Sequence, residues 1–250
     1  MTHELPLKYY SDNSLTAPLN WIYSPEFDGK TGQMPYILVY TKIRLGQSLE
    51  NLAPDQPVHF NFRAFNFAGS TSDTVSIYYP GNACLRVLDV DYTNQNTLPE
   101  LPEWYEDLVP LSDLTRIIRD PESQASLPME IFSSSNQGKW CYYFEKAELA
   151  RQNGDYGTVV NLMKTAGENG FKPETASENL VFIEGYAHEG MLDIAEQMTD
   201  ELFSSEPGLI AGLCQTWERV KTNFASSTDY TGKIDRILSE MDCKDYIKNN

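Results

Sequence analysis

Histidine is nearly missing from this chain of 250 residues, which has only His3, His59 and His188, and cysteine is sparse, with four. No two cysteines stand as CxxC, which excludes a zinc ribbon or thioredoxin-like redox site in its usual form. His188-Glu189-Gly190 is followed by no second histidine, so it is not a zincin HExxH motif. No serine sits in GxSxG, the strained elbow of the α/β-hydrolases. Basic residues are also scarce, 19 against 36 acidic, giving a net charge of -17. A surface of that sign repels phosphate backbones and anionic lipid, so a nucleic-acid partner is not expected. No apolar run approaches the ~20 residues of a membrane-spanning helix, so direct membrane insertion is not expected either. Met1 to Pro6 lacks the basic start and apolar stretch of a signal peptide.

What is present suffices for a core. Hydrophobic residues are 41% and aromatics 12%, which argues against wholesale disorder. The cysteines, at 84, 141, 214 and 243, have apolar neighbours such as Trp140-Cys141-Tyr142 and Leu213-Cys214. That setting reads first as free thiols acting as small buried hydrophobes. One or two disulfides in an oxidising compartment is the alternative, with connectivity open.

Residues 1 to 35, rich in Pro, Asn, Ser and Gly with scattered aromatics, read as an irregular segment laid over a core. Tyr36 to Ile43 is dense in β-branched and aromatic residues and predicts a strand. Val58 to Phe67 alternates apolar and polar, slips one place at Ala64 and alternates again, as a β-bulge would. Ser72 to Tyr79 favours a strand over a short helix, and Cys84 to Val90 predicts another. Prolines 99, 102, 110, 121 and 128 then mark a linker, with a helical turn or two from Leu111 to Ile118.

Beyond residue 139 the apolar period becomes helical. Helix pairs are expected over 139–153 with 155–168, and 175–189 with 191–204, joined at Gly154 and Gly190. Gly154, Tyr156 and Val159 match Gly190, Leu192 and Ala195 at an offset of 36, close to the tetratricopeptide period. A third pair follows over 209–224 and 232–241, with Leu209, Leu213, Trp217, Val220 and Phe224 on one apolar face. The fold class expected is α+β: a β-rich part over 1–130, then a tetratricopeptide-like α-hairpin array over 131–250.

Motifs with chemistry are thin. Ser24 to Thr31 superficially resembles a P-loop, but Glu26 and Asp28 would repel a nucleotide's phosphates. Asp89-Val90-Asp91 at a strand end has the DxD form that can share one hard cation. Solvated acids ending a strand explain it as well, and no metal or other cofactor is expected. His188 falls at a helix C-terminus, where the dipole favours an imidazolium cap. Glu100, Glu103, Glu106 and Asp107 read as solvated linker. In a helical array the first helices of the pairs line a groove, and the exposed candidates there are Tyr142, Tyr143, Lys146, Arg151, Asn179 and His188. The competing expectation is that the aromatics at 142 to 144 pack against the β-rich part.

Phe65 to Asp89, Trp140 to Asp155 and Phe182 to Ala187 together resemble the soluble C-terminal region of bacterial multi-pass membrane proteins of the glycosyltransferase-like, dolichyl-phosphate-mannose-protein mannosyltransferase-like group. The similarity covers about residues 58 to 220. It implies a non-catalytic accessory domain on the extracytoplasmic face, with a protein or peptide partner that includes the membrane part of its own parent chain as a candidate. Two other readings stand beside it: a cation-dependent enzyme on a sugar or nucleotide sugar using Asp89 and Asp91, and a cytosolic tetratricopeptide-type adaptor.

Overall fold

The computed structural model describes residues 1–5, 13–30, 32–42, 48–49, 51–62, 64–90, 92–117, 138–224 and 228–247. The chain is α+β and divides into two compact units. The first comprises Met1–Gly81, Leu85–Thr93 and Pro102–Ser134; the second comprises Asn82–Cys84, Asn94–Leu101 and Ser135–Asn250.

In the first unit a helix, α1, spans Asn13–Tyr23 inside the stretch expected to be irregular. Its sequence is a poor helix signal because Pro18 lies within it. Tertiary bonds hold it: the Asn20 amide donates to Tyr36 O at 2.7 Å and its Oδ1 accepts from Tyr36 N at 2.9 Å. Thr16 Oγ1 accepts from Leu38 N, while Leu15 and Leu19 pack on Leu5, Leu38 and Tyr40. The expected strand from Tyr36 is buried at Leu38, Val39 and Tyr40, yet among the described residues it forms a single parallel bridge, from Tyr40 to Thr2; its last residue, Ile43, lies outside them.

Strands β1 (Pro57–Phe62) and β2 (Phe65–Ser70) form an antiparallel hairpin with Phe62 opposite Phe65. The phase slip at Ala64 is therefore a chain reversal rather than a bulge. Both shift a period-2 pattern, which is why the sequence alone misled. β3 (Ile77–Tyr78) and β4 (Arg86–Val87) make a second, two-residue pair with Ile77 opposite Val87. As far as Ile117, the expected proline-rich linker folds as 3-10 turns over Glu103–Leu111 and Leu114–Arg116; Ile118, Pro121 and Pro128 lie outside the described residues. Tyr105, Leu108, Val109 and Leu111 are buried in it, so this stretch is core with solvated acids on its outer side, not a tether.

The second unit is helical: α2 (Trp140–Gln152), α3 (Tyr156–Glu168), α4 (Leu180–His188), α5 (Leu192–Ser205), α6 (Ile210–Asn223), α7 (Thr228–Glu240) and a short α8 (Lys244–Ile247). Each of α2 to α6 touches the next, and α4 also touches both α2 and α6. Gly154 and Gly190 stand at φ 70° and 75°, the left-handed turn that lets one helix end and its neighbour begin two residues later. Val159 and Ala195, the matched small residues, are both fully buried.

All four cysteines are bridged, Cys84 to Cys141 and Cys214 to Cys243, with Cα–Cα distances of 5.1 and 5.4 Å. This overturns the first reading of free thiols. An apolar neighbourhood suits a buried disulfide as well as a buried thiol, so that signal could not decide.

Candidate functional site

The first helices of the three pairs, α2, α4 and α6, share a face in register. Cys141, Ser177 and Gly212 stand 36 and 35 residues apart, and so do Glu148, Glu184 and Arg219, seven residues further on. Seven residues are about two α-helical turns, which returns α2 and α6 to the same side; Ser177 stands in the 3-10 turn Ala176–Asn179 that leads into α4.

The upper row already holds part of the chain. Cys84 is bonded to Cys141, and its backbone N–H donates to Glu178 Oε1 at 3.2 Å. Ser177 Oγ donates to Glu100 Oε1, and the Asn94 amide donates to Gln215 Oε1 at 3.2 Å. At Gly212 the backbone of 96–97 comes so close that a Cβ would lie 2.7 Å from Asn96 O. Glu178 anchors this end. Fully buried, its carboxylate also accepts from Trp140 Nε1 at 2.6 Å, Glu174 N at 2.7 Å and Thr175 N at 3.3 Å. These N–H donors replace a counter-ion in stabilising the buried group.

The middle row is a charged chain between helices. Glu184, 1% exposed, accepts from Arg219 Nη2 at 2.7 Å and Nε at 3.3 Å, with Arg151 Nη1 at 3.8 Å. Arg151 also donates to Glu148, and Arg219 Nη2 to Thr216 Oγ1 at 3.3 Å. With Arg151 counted, the signs alternate along Glu148, Arg151, Glu184 and Arg219, and these four side chains sum to zero.

One turn lower come Gln152, His188 and Asn223, again 36 and 35 residues apart. The His188 ring stacks on Tyr156 at 3.7 Å and 9°, with Phe224 at 5.8 Å, and Asn223 Nδ2 lies 3.4 Å from its Nε2. Burial lowers the His188 pKa from its ordinary value; Glu184 opposes this and Arg219 reinforces it. Burial thus works against the imidazolium expected at this helix end. An uncharged Gln–His–Asn row offers donors and acceptors but no formed nucleophile.

The residues expected from sequence divide. Arg151 lies 3.8 Å from Glu184, and His188 feels the charge of the same carboxylate. Arg151, expected to be exposed, is 5% exposed, since its guanidinium is drawn into the row. Tyr143, also expected to be exposed, is 8% exposed and packs on Phe171 at 5.7 Å. Tyr142 stands apart, edge-on to Tyr143, with Lys146 Nζ 4.7 Å from its ring centroid. Asn179 donates to Ala176 O at 3.0 Å within the turn that leads into α4. Asp89 is buried in a turn where its carbonyl accepts from Thr93 N at 2.8 Å; Asp91 lies outside the described residues, and with it the DxD pairing. Among the described residues, one group has metal-ligand proximity, Cys84, Cys141 and Glu174, and its sulfurs are bonded to each other instead. Glu148, Glu184 and Arg219 were missed. The 36-residue spacing between Gly154 and Gly190, applied to charge, points to Glu148 and Glu184.

No family model, curated protein or solved structure matches the chain.

Proposed function

We propose that the second unit is a non-catalytic, tetratricopeptide-like interaction module that reads a peptide or protein segment on the shared face of α2, α4 and α6. The observation that carries this reading is the register of that face: three rows repeat at 36 and 35 residues, and the uppermost already grips a segment of chain. Stacked hairpins use such a face for binding because each pair buries its other sides on its neighbours. The lower row of Gln152, His188 and Asn223 suits peptide main chain, since amides and imidazole match its alternating donors and acceptors.

Two disulfides favour an oxidising, extracytoplasmic setting over the cytosolic adaptor reading. The resemblance noted above supplies the proposed context, an accessory domain of a membrane-associated glycosyltransferase-like chain. The test is to pan a phage-displayed random peptide library on the whole protein and titrate an enriched peptide. Binding at least about tenfold weaker in His188→Ala/Asn223→Ala supports the reading, as expected for contact residues. No enrichment, or equal affinity in the variant, contradicts it.

A further inference from the structure

We propose that Cys84, Cys141 and Glu174 form a binding site for one zinc ion once the bridge between the two cysteines is reduced. The two sulfurs and a Glu174 carboxylate oxygen all lie within 4.8 Å of one another. Tetrahedral zinc, with Zn–S of about 2.3 Å and Zn–O of about 2.0 to 2.2 Å, sets its ligand atoms about 3.5 to 3.8 Å apart. Side-chain adjustments of about 1 to 2 Å therefore take the three atoms from the bridged arrangement to a shared ion. The donor set selects the metal. Two thiolates favour zinc or copper(I) over magnesium and calcium, and a carboxylate oxygen, a poor partner for copper(I), leaves zinc. Three protein ligands leave one position for water. Cys141 is half-buried and Glu174 exposed, so ion and water both have access.

The backbone around these ligands is held by a group that reduction does not touch. The buried Glu178 carboxylate accepts from Cys84 N at 3.2 Å, from Glu174 N at 2.7 Å and from Nε1 of Trp140, the neighbour of Cys141, at 2.6 Å. One carboxylate thus ties together all three ligand-bearing stretches, as the outer partners of metal ligands do. A dithiol is the reductant. Its thiolate attacks Cys141 Sγ, the Cys141–Cys84 bond breaks and Cys84 leaves as a thiolate that takes up a proton. The second thiol then resolves the mixed disulfide. Two electrons pass from the dithiol, which departs as a cyclic disulfide, to the two protein sulfurs, which end as thiols. Zinc displaces the two thiol protons to solvent as it binds. Bridge and ion are alternative closures of one spot, so only the reduced chain takes the metal. This site does not rest on the reading of the shared face.

The experiment reduces the full chain with dithiothreitol, removes the reagent under argon and titrates Co²⁺, a coloured stand-in for zinc. The reduced parent is expected to take one Co²⁺ per chain, with sulfur-to-cobalt charge-transfer absorption and the visible bands of tetrahedral cobalt, both abolished by an equivalent of Zn²⁺. The oxidised parent and Cys84→Ser/Cys141→Ser, treated alike, should show neither. Reduced Glu174→Gln should bind at least about tenfold more weakly. Absence of the charge-transfer band in the reduced parent overturns the proposal, as does equal affinity in Glu174→Gln or a band that survives in Cys84→Ser/Cys141→Ser. Circular dichroism follows the helices throughout. Helical signal lost on reduction and not restored by Zn²⁺ overturns it too, because the bridge is then what holds the ligands together. His188 and Asn223 are unaltered in these proteins, so failure here leaves peptide binding to its own test.

Discussion

Gly185 of α4 lies against Val159 of α3 with no space for a side chain: a Cβ there would stand 2.5 Å from Val159 Cγ1 and 3.0 Å from its Cβ. This contact fixes how closely the second helix of one pair meets the first helix of the next. Both residues are buried, so relief must come from shifting a helix. Gly185→Ala should destabilise by about 2 to 3 kcal/mol, the scale of core overpacking. Val159→Ala in the same chain should recover part of that loss by removing Cγ1. Urea midpoints of the two variants and the pair measure it.

Glu184 should be costly to neutralise. It is the shared partner of Arg219 and, more distantly, Arg151, and it is nearly sealed from water. Glu184→Gln leaves one guanidinium buried beside a neutral amide, a loss of about 3 kcal/mol. Arg219→Gln in that background should cost less than it does alone, because the attraction it removes is already gone. A double-mutant cycle by denaturant unfolding reads the coupling.

His188 should make stability depend on pH. Its folded pKa lies below the ordinary 6.5, chiefly through burial. The unfolded chain therefore takes up the proton first as pH falls. The contribution is complete above 6.5 and is lost as pH drops from there toward the folded value. Urea midpoints at about pH 7.5 and 5.5 should differ more for the parent than for His188→Gln, where this titration is gone. Glu184, Arg219, Tyr156, Phe224 and Asn223 surround the ring, and all remain in that comparison.

The two bridges should open in order. Under limiting dithiothreitol, Cys84–Cys141 should be alkylated before Cys214–Cys243, because only Cys141 is reachable in the folded chain. Peptide mapping after quenching gives the sequence of events. Removing the sealed bridge by Cys214→Ala/Cys243→Ala should cost about 3 to 4 kcal/mol, from the 29-residue separation it spans.

The helical unit was legible because its signals are local. A 3.6-residue period and a glycine at each of two helix–helix turns, Gly154 and Gly190, are each read from a short stretch of chain. The first unit was less so. α1 depends on Asn20 and Thr16 reaching residues 36 to 38, and a proline inside it weakens any propensity argument. A phase slip near Ala64 reads alike as bulge or turn. Disulfide partners 57 and 29 residues apart leave no local mark. Of the candidate site, Arg151 and His188 could be named, but their common partner Glu184 sits among apolar residues in Phe182-Ile183-Glu184-Gly185 and looks incidental until the repeat spacing is imposed on it.

The central claim, that the shared face of α2, α4 and α6 is the binding surface, is tested most directly by titrating ¹⁵N-labelled protein with the enriched peptide and mapping amide shifts. Saturable shifts clustered at Gln152, His188 and Asn223 are predicted. Shifts confined to the outward sides of α3, α5 and α7, or none at saturating peptide, would contradict it.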